Sequence, residues 1–275
     1  MKKILLPVDF SKHSEYASKL ACKIALKTKS DVHLIHMVEL PSGFADMGAG
    51  TNISIPESML YIKKIKEKLL DYKERFFSEL DDVYHAIRFQ NPYDGIRDYS
   101  KKINANLIIM GSKGHTALEE ILIGSNTEKT VRNSEIPVII TKKETDDFKL
   151  KKLVFASTFE KDEAKALEGF LRFANMFDSD IYFLKVNTPQ KFESTADSKN
   201  KIKAFIKKYQ ITNYSLNVYS DKSVQDGILN FSSENDIDLV SLATHGRSGL
   251  SRFFNESISV NLSKNVLKPI LTFKI

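Results

Sequence analysis

The sequence predicts an open, mostly parallel α/β fold built twice in tandem. Short apolar runs alternate with longer stretches of helical periodicity, as strands alternate with covering helices in βαβ units. An opening segment recurs in the second half of the chain, the mark of an internal repeat. The length of 275 residues fits two units of about 100–150 residues each.

The first strand is predicted at Lys3–Phe10 (KILLPVDF), followed by a helix that places Ala17, Leu20 and Ile24 on one face. Val32–Val38 reads as the next strand. The stretch between, PSGFADMGAGTNISIPES at 41–58, is rich in Gly, Pro and Ser and reads as a mobile loop. Ile62, Ile65, Leu69, Tyr72 and Phe76 recur at helical spacing, Val83–Phe89 reads as a strand, and a helix is expected near Ile96–Ile103. Leu107–Met110 and Val138–Ile140 are apolar on both alternating faces, as strands covered by helices on both sides are.

The second half repeats this order. Lys152–Phe159 (KLVFASTF) matches Lys3–Phe10 and is followed by Ala164, Leu167 and Leu171 at helical spacing. Asp94-Gly95-Ile96 through Gly114 parallels Asp226-Gly227-Ile228 through Gly246 without a gap, and Ile136-Pro137-Val138-Ile139 is echoed by Lys268-Pro269-Ile270-Leu271. The repeat defines a first domain at 1–142, a charged linker (KETDDFK) at 143–149 and a second domain at 150–275. In the second copy the long loop shrinks to a stretch near Asn187–Ser198. Val138–Ile140 alone would be an apolar edge strand, and pairing with Ile270–Phe273 removes that exposed edge. An intramolecular pseudo-dimer is therefore expected, and it leaves room for a homodimer of such pairs.

Composition narrows the function classes. Hydrophobic residues at 42% and charged residues at 28% support a packed core and argue against bulk disorder. The net charge of +6 raises the question of nucleic acid. The lysines of Lys63–Lys68 and Lys199–Lys208 lie in helical stretches, however, without a dense Arg stripe or interleaved aromatic residues, and read as solvated helix faces. Cys22 sits among Ala17, Leu20, Ala21 and Ile24 and reads as a small core residue. Pro7 and Asp9 interrupt the opening apolar stretch too early for a signal-peptide core, and no 18-residue apolar run occurs. The expectation is a cytoplasmic protein without a membrane partner.

One segment carries binding chemistry. After the strand Leu107–Met110 come Gly111-Ser112-Lys113-Gly114, nine residues, and Gly124-Ser125-Asn126 opening another helix. In open parallel sheets ligands sit beyond the carboxyl ends of strands, where glycines allow backbone to approach phosphate and helix N–H groups attract anions. Gly111, Gly114 and Gly124 would give the approach, with Ser125 and Asn126 donating. The spacing is neither a dinucleotide fingerprint nor a Walker A loop. Glycines after strands also serve as plain turns.

The stretch MGSKGHTALEEILIGSNTEKTV, residues 110–131, resembles the Gly-x-x-Gly-x9-Gly-Ser/Thr signature of ATP-binding universal stress proteins, and PVDFS at 7–11 resembles that family's first strand and turn. The resemblance covers the chain twice. It implies two Rossmann-like domains of the adenine nucleotide alpha hydrolase-like kind and a cytoplasmic stress-response regulator or sensor that binds ATP, ADP or AMP and is read by a protein partner. It also implies positions: Asp9 at the nucleotide, Pro7 and Val8 bordering it, Met37 at the adenine and Gly111, flanked by Met110 and Ser112, near the ribose. Gly114, Gly124, Ser125 and Asn126 would cradle the phosphates. Mg²⁺ would arrive with the nucleotide and take at most Asp9 from the protein. Asp9 also reads as a turn or cap residue before Ser11, and Lys113 and His115 as solvated loop residues.

Alternative functions are a slow ATP-hydrolysing or nucleotidyl-transferring enzyme, or a binder of a non-nucleotide ligand between the domains. No Ser-His-Asp arrangement emerges, so no catalytic residue is assigned. His33 and His36 should point to opposite faces of their strand, which argues against a shared metal. In the second copy Thr158 stands for Asp9, Ala243 for Gly111 and Glu256 for Gly124, while Gly246 and Ser257 match Gly114 and Ser125. A carboxylate at 256 would repel phosphate, and the second site reads as degraded.

Overall fold

A computed structural model describes residues 1–38, 55–113, 123–143, 149–244 and 268–275, with the side chains of 55–58 left out. The first half contains β1 (Lys3–Pro7), α1 (Lys12–Thr28), β2 (Asp31–Met37), α2 (Ile55–Phe77) and β3 (Val83–Arg88), then α3 (Pro92–Ile103), β4 (Leu107–Gly111), α4 (Ser125–Asn133) and β5 (Val138–Thr141). The second contains β6 (Lys152–Ala156), a 3-10 turn (Lys161–Glu163), α5 (Ala164–Asn175), β7 (Asp180–Asn187) and α6 (Thr195–Ile206), then β8 (Tyr214–Ser220), α7 (Val224–Glu234), β9 (Leu239–Thr244) and β10 (Ile270–Lys274).

The ten described strands form one sheet in the order β3-β2-β1-β4-β5-β10-β9-β6-β7-β8. Every pairing is parallel except the central one, where β10 runs antiparallel to β5 with Leu271 opposite Ile139 and Thr272 opposite Val138. Thr272 Oγ1 also donates to the Val138 carbonyl at 3.1 Å. The expected edge is thus buried in the middle of a continuous sheet, and the two halves form the anticipated pseudo-dimer.

Alternation along the central strands explains their uninterrupted apolar character. Leu107 and Ile109 of β4 face a core closed by Leu20 and Ile24 of α1 and Leu69 of α2. Ile108 and Met110 face the opposite core, closed by Ile96 and Tyr99 of α3 and Val131 of α4. The repeat extends to backbone conformation. Phe10 and Phe159, which follow β1 and β6, both adopt positive φ (64° and 59°), as do Asn104 and Asp236 (both 51°) after α3 and α7.

Element ends depart from the sequence reading where local chemistry intervenes. β1 stops at Pro7 rather than Phe10, because the left-handed Phe10 turns the chain toward α1. Of the loop read at 41–58, residues 41–54 lie outside the described residues, whereas 55–58 already belong to α2. Pro56 fits there because the first helical turn has no partner for its missing N–H. The shorter loop read at Asn187–Ser198 reduces to 188–194, since Asn187 ends β7 and Thr195 opens α6. Of the linker 143–149, residues 144–148 lie outside the described residues.

His33 and His36 do lie on opposite faces. The His33 ring stacks on Tyr84 at 4.8 Å and both its nitrogens are buried without a hydrogen-bond partner. Burial, then Lys3, holds its pKa below the ordinary 6.5, with Asp31 opposing. A histidine held neutral by the fold but free to charge on unfolding stabilises fully above 6.5, and that stability is lost as pH falls toward the lowered folded value. His33→Phe keeps the stack and removes two orphaned nitrogens. It is expected to raise stability by about 1 kcal/mol at pH 7 and to flatten the loss between pH 7 and 5, read from urea midpoints. An unchanged pH slope would place the sensitivity elsewhere.

Candidate functional site

The carboxyl ends of β1, β2, β4 and β5 lie side by side at one end of the sheet, next to the starts of α1 and α4, the position where open α/β sheets form a ligand crevice. The β1–α1 turn is fixed by Asp9, whose Oδ1 accepts from the Ser11 backbone N–H at 3.0 Å and the Ser11 hydroxyl at 2.6 Å. Ser11 in turn caps α1 by accepting from Ser14 N–H. Asp9 therefore has the turn role at this oxygen. Val8 is buried and donates its N–H to the Ile35 carbonyl at 2.8 Å, which ties β1 to β2. The Val8 carbonyl lies 2.7 Å from His36 Nδ1. A carbonyl only accepts, so Nδ1 carries the proton. Burial lowers the His36 pKa more than this bond raises it, leaving the ring neutral with Nε2 as an acceptor.

The His36 ring packs 4.7 Å from Phe10, and Lys68 Nζ lies 4.4 Å above Phe10 on its way from α2. Below them Tyr72 OH meets Ser14 Oγ and Ser18 Oγ at 3.1 and 2.8 Å, locking α2 to α1; its pKa is pushed up to about 12, chiefly by burial. Met37, expected at the adenine, packs its thioether against Gly95 of α3, where an added Cβ would fall 2.4 Å from the sulfur.

The β4 end is built from main chain. Gly111 carbonyl accepts from Thr127 Oγ1 at 3.0 Å, Ser112 N–H donates to Thr141 carbonyl at 2.9 Å, and Gly124 N–H donates to Ser112 carbonyl at 2.7 Å. These bonds hold α4 with its first turn over the end of β4. Gly124 is the N-cap of α4 and provides no side-chain cap. The first helical hydrogen bond is made by Glu128 N–H. The N–H groups of Ser125, Asn126 and Thr127 precede it, the arrangement that attracts anions. Ser112 is 1% exposed and its hydroxyl has no hydrogen-bond partner among the described residues.

Cations gather on the same side. Lys142, directly after β5, is half-buried, and burial, Lys113 and Lys143 all lower its pKa. The His13 pKa is lowered by burial and by Lys113 and Lys142 against the pull of Asp9. In both groups burial is the larger cause, and the neighbouring lysine charges add to it. Sequence reasoning missed Lys142 and His13: Lys142 adjoins the charged run read as linker, and His13 lies on a helix start. The signal available was position, one residue past the carboxyl end of a central strand.

Of the residues expected at a nucleotide, Pro7, Val8, Asp9 and Met37 gather at the ends of β1 and β2. Met110, Gly111, Ser112, Gly124, Ser125 and Asn126 gather at the end of β4 and the start of α4. Met110 is a core side chain, so only its main chain is available to the crevice. Gly114 and His115 lie outside the described residues, as do Gly246, Glu256 and Ser257 of the second copy. In that copy the acid moves. Glu163 takes over the turn, its Oε2 accepting from Ser157 Oγ at 2.6 Å, Thr158 Oγ1 at 3.0 Å and Glu160 N–H at 3.1 Å.

Fold and crevice define a tandem protein of the Rossmann-like α/β class, paired through its central strands. A profile of the universal stress protein family matches residues 1–142 and 149–274, and the chain belongs to that family. Universal stress protein MJ0577 of Methanocaldococcus jannaschii is 32% identical over 158 residues, covering 52% of this chain and 95% of its own. Universal stress protein Slr1230 of Synechocystis is 24% identical over the full length of both chains. The crystal structure of a universal stress protein from Archaeoglobus fulgidus shares the fold, with a TM-score of 0.73 at 19% identity over 99% of this chain and 96% of that one. No described helix is long and apolar enough to cross a membrane.

Proposed function

We infer that the N-terminal half binds ATP and that the protein works as a cytoplasmic nucleotide-dependent regulator. The observation that carries this reading is the start of α4: a helix N-terminus without a side-chain cap, next to the buried hydroxyl of Ser112, which is unpartnered among the described residues. In this reading the phosphates take the N–H groups of Ser125 and Asn126 and the hydroxyl of Ser112, with Gly114 and Gly124 allowing close approach. The ribose lies along Gly111 and the main chain of Met110, and the adenine between Pro7, Val8 and Met37. Asp9 shapes the turn that borders the nucleotide and, in this reading, is the carboxylate that faces a nucleotide-bound Mg²⁺.

Lys142 supports the triphosphate over the monophosphate, because its charge lies beside the phosphate end of the crevice. Binding then favours one conformation of the domain pair, which a protein partner reads. The domain at 1–142 holds the nucleotide, 143–149 links, and the domain at 150–275 is its structural counterpart with a degraded loop.

Calorimetric titration with ATP, ADP and AMP tests this. Saturable binding of ATP is expected, and Lys142→Met should weaken ATP by about tenfold, the effect of one charge-assisted contact, while changing AMP affinity little. Phosphate release under multiple turnover should stay at background. Absence of saturable binding by any adenine nucleotide would overturn the reading.

A further inference from the structure

The second half has a polar corner that the nucleotide reading does not use. β7 ends in Lys185, Val186 and Asn187, and the matching registers of β2 on β1 and of β7 on β6 align these with His36, Met37 and Val38. Lys185 and Asn187 are two residues apart and share one face of the sheet. Lysine is rarely buried without a specific partner. Here the Lys185 side chain is 7% exposed and its Nζ meets Glu193 Oε2 at 3.1 Å.

Asn187 is 2% exposed; its Nδ2 donates to the Glu193 carbonyl at 2.8 Å, while its Oδ1 is buried without a partner among the described residues. One turn into α6, the buried hydroxyl of Ser198 is also unpartnered. Glu193 comes from a short strap, residues 188–194, closed by Lys191 N–H donating to the Thr188 carbonyl at 3.0 Å. Beyond Thr188, which is buried, the strap faces solvent: the Glu193 side chain is 40% exposed and Phe192 is 73% exposed.

A buried cation and an orphaned acceptor at the carboxyl end of a parallel strand occupy the position where open α/β sheets bind ligands. We propose that this corner binds a small carboxylic acid carrying an adjacent hydroxyl or amino group, and that Glu193 is a built-in stand-in that keeps it shut. The ligand carboxylate takes Lys185 Nζ and the Asn187 Nδ2 that the strap releases. Its hydroxyl or amino donor satisfies Asn187 Oδ1, which can only accept. The strap 188–194 swings into solvent with Glu193.

A phosphate ester is disfavoured here. The start of α6 is already capped by Ser194, which accepts from Asp197 N–H, and Asp197 adds a negative charge in the first turn. One lysine against that field suits a monoanion.

The test uses the full chain and three probes: glycolate, acetate and inorganic phosphate, read by calorimetry and thermal unfolding. Glu193→Ala should bind glycolate saturably and gain thermal stability from it. Acetate, which lacks the donor, should bind on the order of tenfold more weakly, and phosphate should not bind. The wild-type chain, whose strap competes, should bind glycolate on the order of tenfold more weakly than Glu193→Ala. Glu193→Ala combined with Lys185→Met should lose the response; should Glu193→Ala fold poorly, the isosteric Glu193→Gln with and without Lys185→Met gives the same comparison. No saturable glycolate binding, an equal response with Met at 185, or equal affinity for acetate and glycolate would each overturn the proposal.

Discussion

Gly124→Glu is expected to abolish ATP binding while leaving the protein folded. Gly124 has φ −72° and ψ 147°, ordinary extended backbone that any residue adopts, so the substitution introduces no strain. Its side chain would project at the start of α4, where a carboxylate is favourable to the helix. The melting temperature should therefore stay within about 2 °C of wild type. The effect on ligand is the opposite. A fixed carboxylate about 4 Å from a phosphate oxygen opposes it by about 4 kcal/mol at an effective dielectric constant of about 20, which is on the order of a thousandfold in Kd. The same carboxylate also competes for the N–H groups of Asn126 and Thr127, the ones an N-cap side chain reaches.

Gly124→Ala serves as the control, since it adds a Cβ without charge and should keep most of the affinity. Calorimetry on the two variants separates charge from bulk. Retention of ATP affinity within threefold in Gly124→Glu would show that the phosphates do not lie at the start of α4. The second copy carries Glu256 at the aligned position, so the same experiment measures what a carboxylate at that position does to a nucleotide loop.

What was legible in the sequence follows a physical division. The apolar runs and the repeat sufficed for the alternation of strands and helices in each half, because strands buried on both faces leave an unmistakable pattern, and the pairing of Val138–Ile140 with Ile270–Phe273 followed from an edge that had to be covered; the spatial order of the strands within each half was not read from the sequence. The gathering of Gly111, Gly124, Ser125 and Asn126 was legible too, since all follow one strand or open the next helix. Interactions between distant segments were not. Nothing local marks the Tyr72 hydroxyl as the partner of Ser14 and Ser18, or Lys142 as a neighbour of His13. Nor does the substitution of Thr158 for Asp9 reveal that Glu163 supplies the missing carboxylate from the far side of the turn. Single-residue comparison of the two copies sees an acid lost, whereas the structure shows it relocated by five positions in sequence.

Gly111→Ala is expected to destabilise the fold by about 2–3 kcal/mol, the range for forcing a methyl into a packed site. Sequence reasoning tied this glycine to the approach of a ribose. The structure adds a demand that exists before any ligand arrives: a Cβ at 111 would lie 2.7 Å from the carbonyl carbon and Cβ of His13 and 2.8 Å from its carbonyl oxygen. These atoms belong to the first turn of α1 and move only if the helix moves. Because Asp9 and Ser11 fix that turn from the other side, a shift of α1 displaces the border of the crevice as well, and ATP affinity should fall together with stability. The second half supplies the counter-case. Ala243 holds a Cβ at the matching position of β9, where the chain enters α5 through the 3-10 turn Lys161–Glu163 instead of continuous α-helix. Ala243→Gly should therefore lower stability only modestly, by about 0.5–1 kcal/mol, from the added freedom of the unfolded chain. Urea unfolding of both variants decides the matter. A Gly111→Ala protein within 0.5 kcal/mol of wild type would show that α1 yields to the methyl and that the glycine is required by the ligand alone.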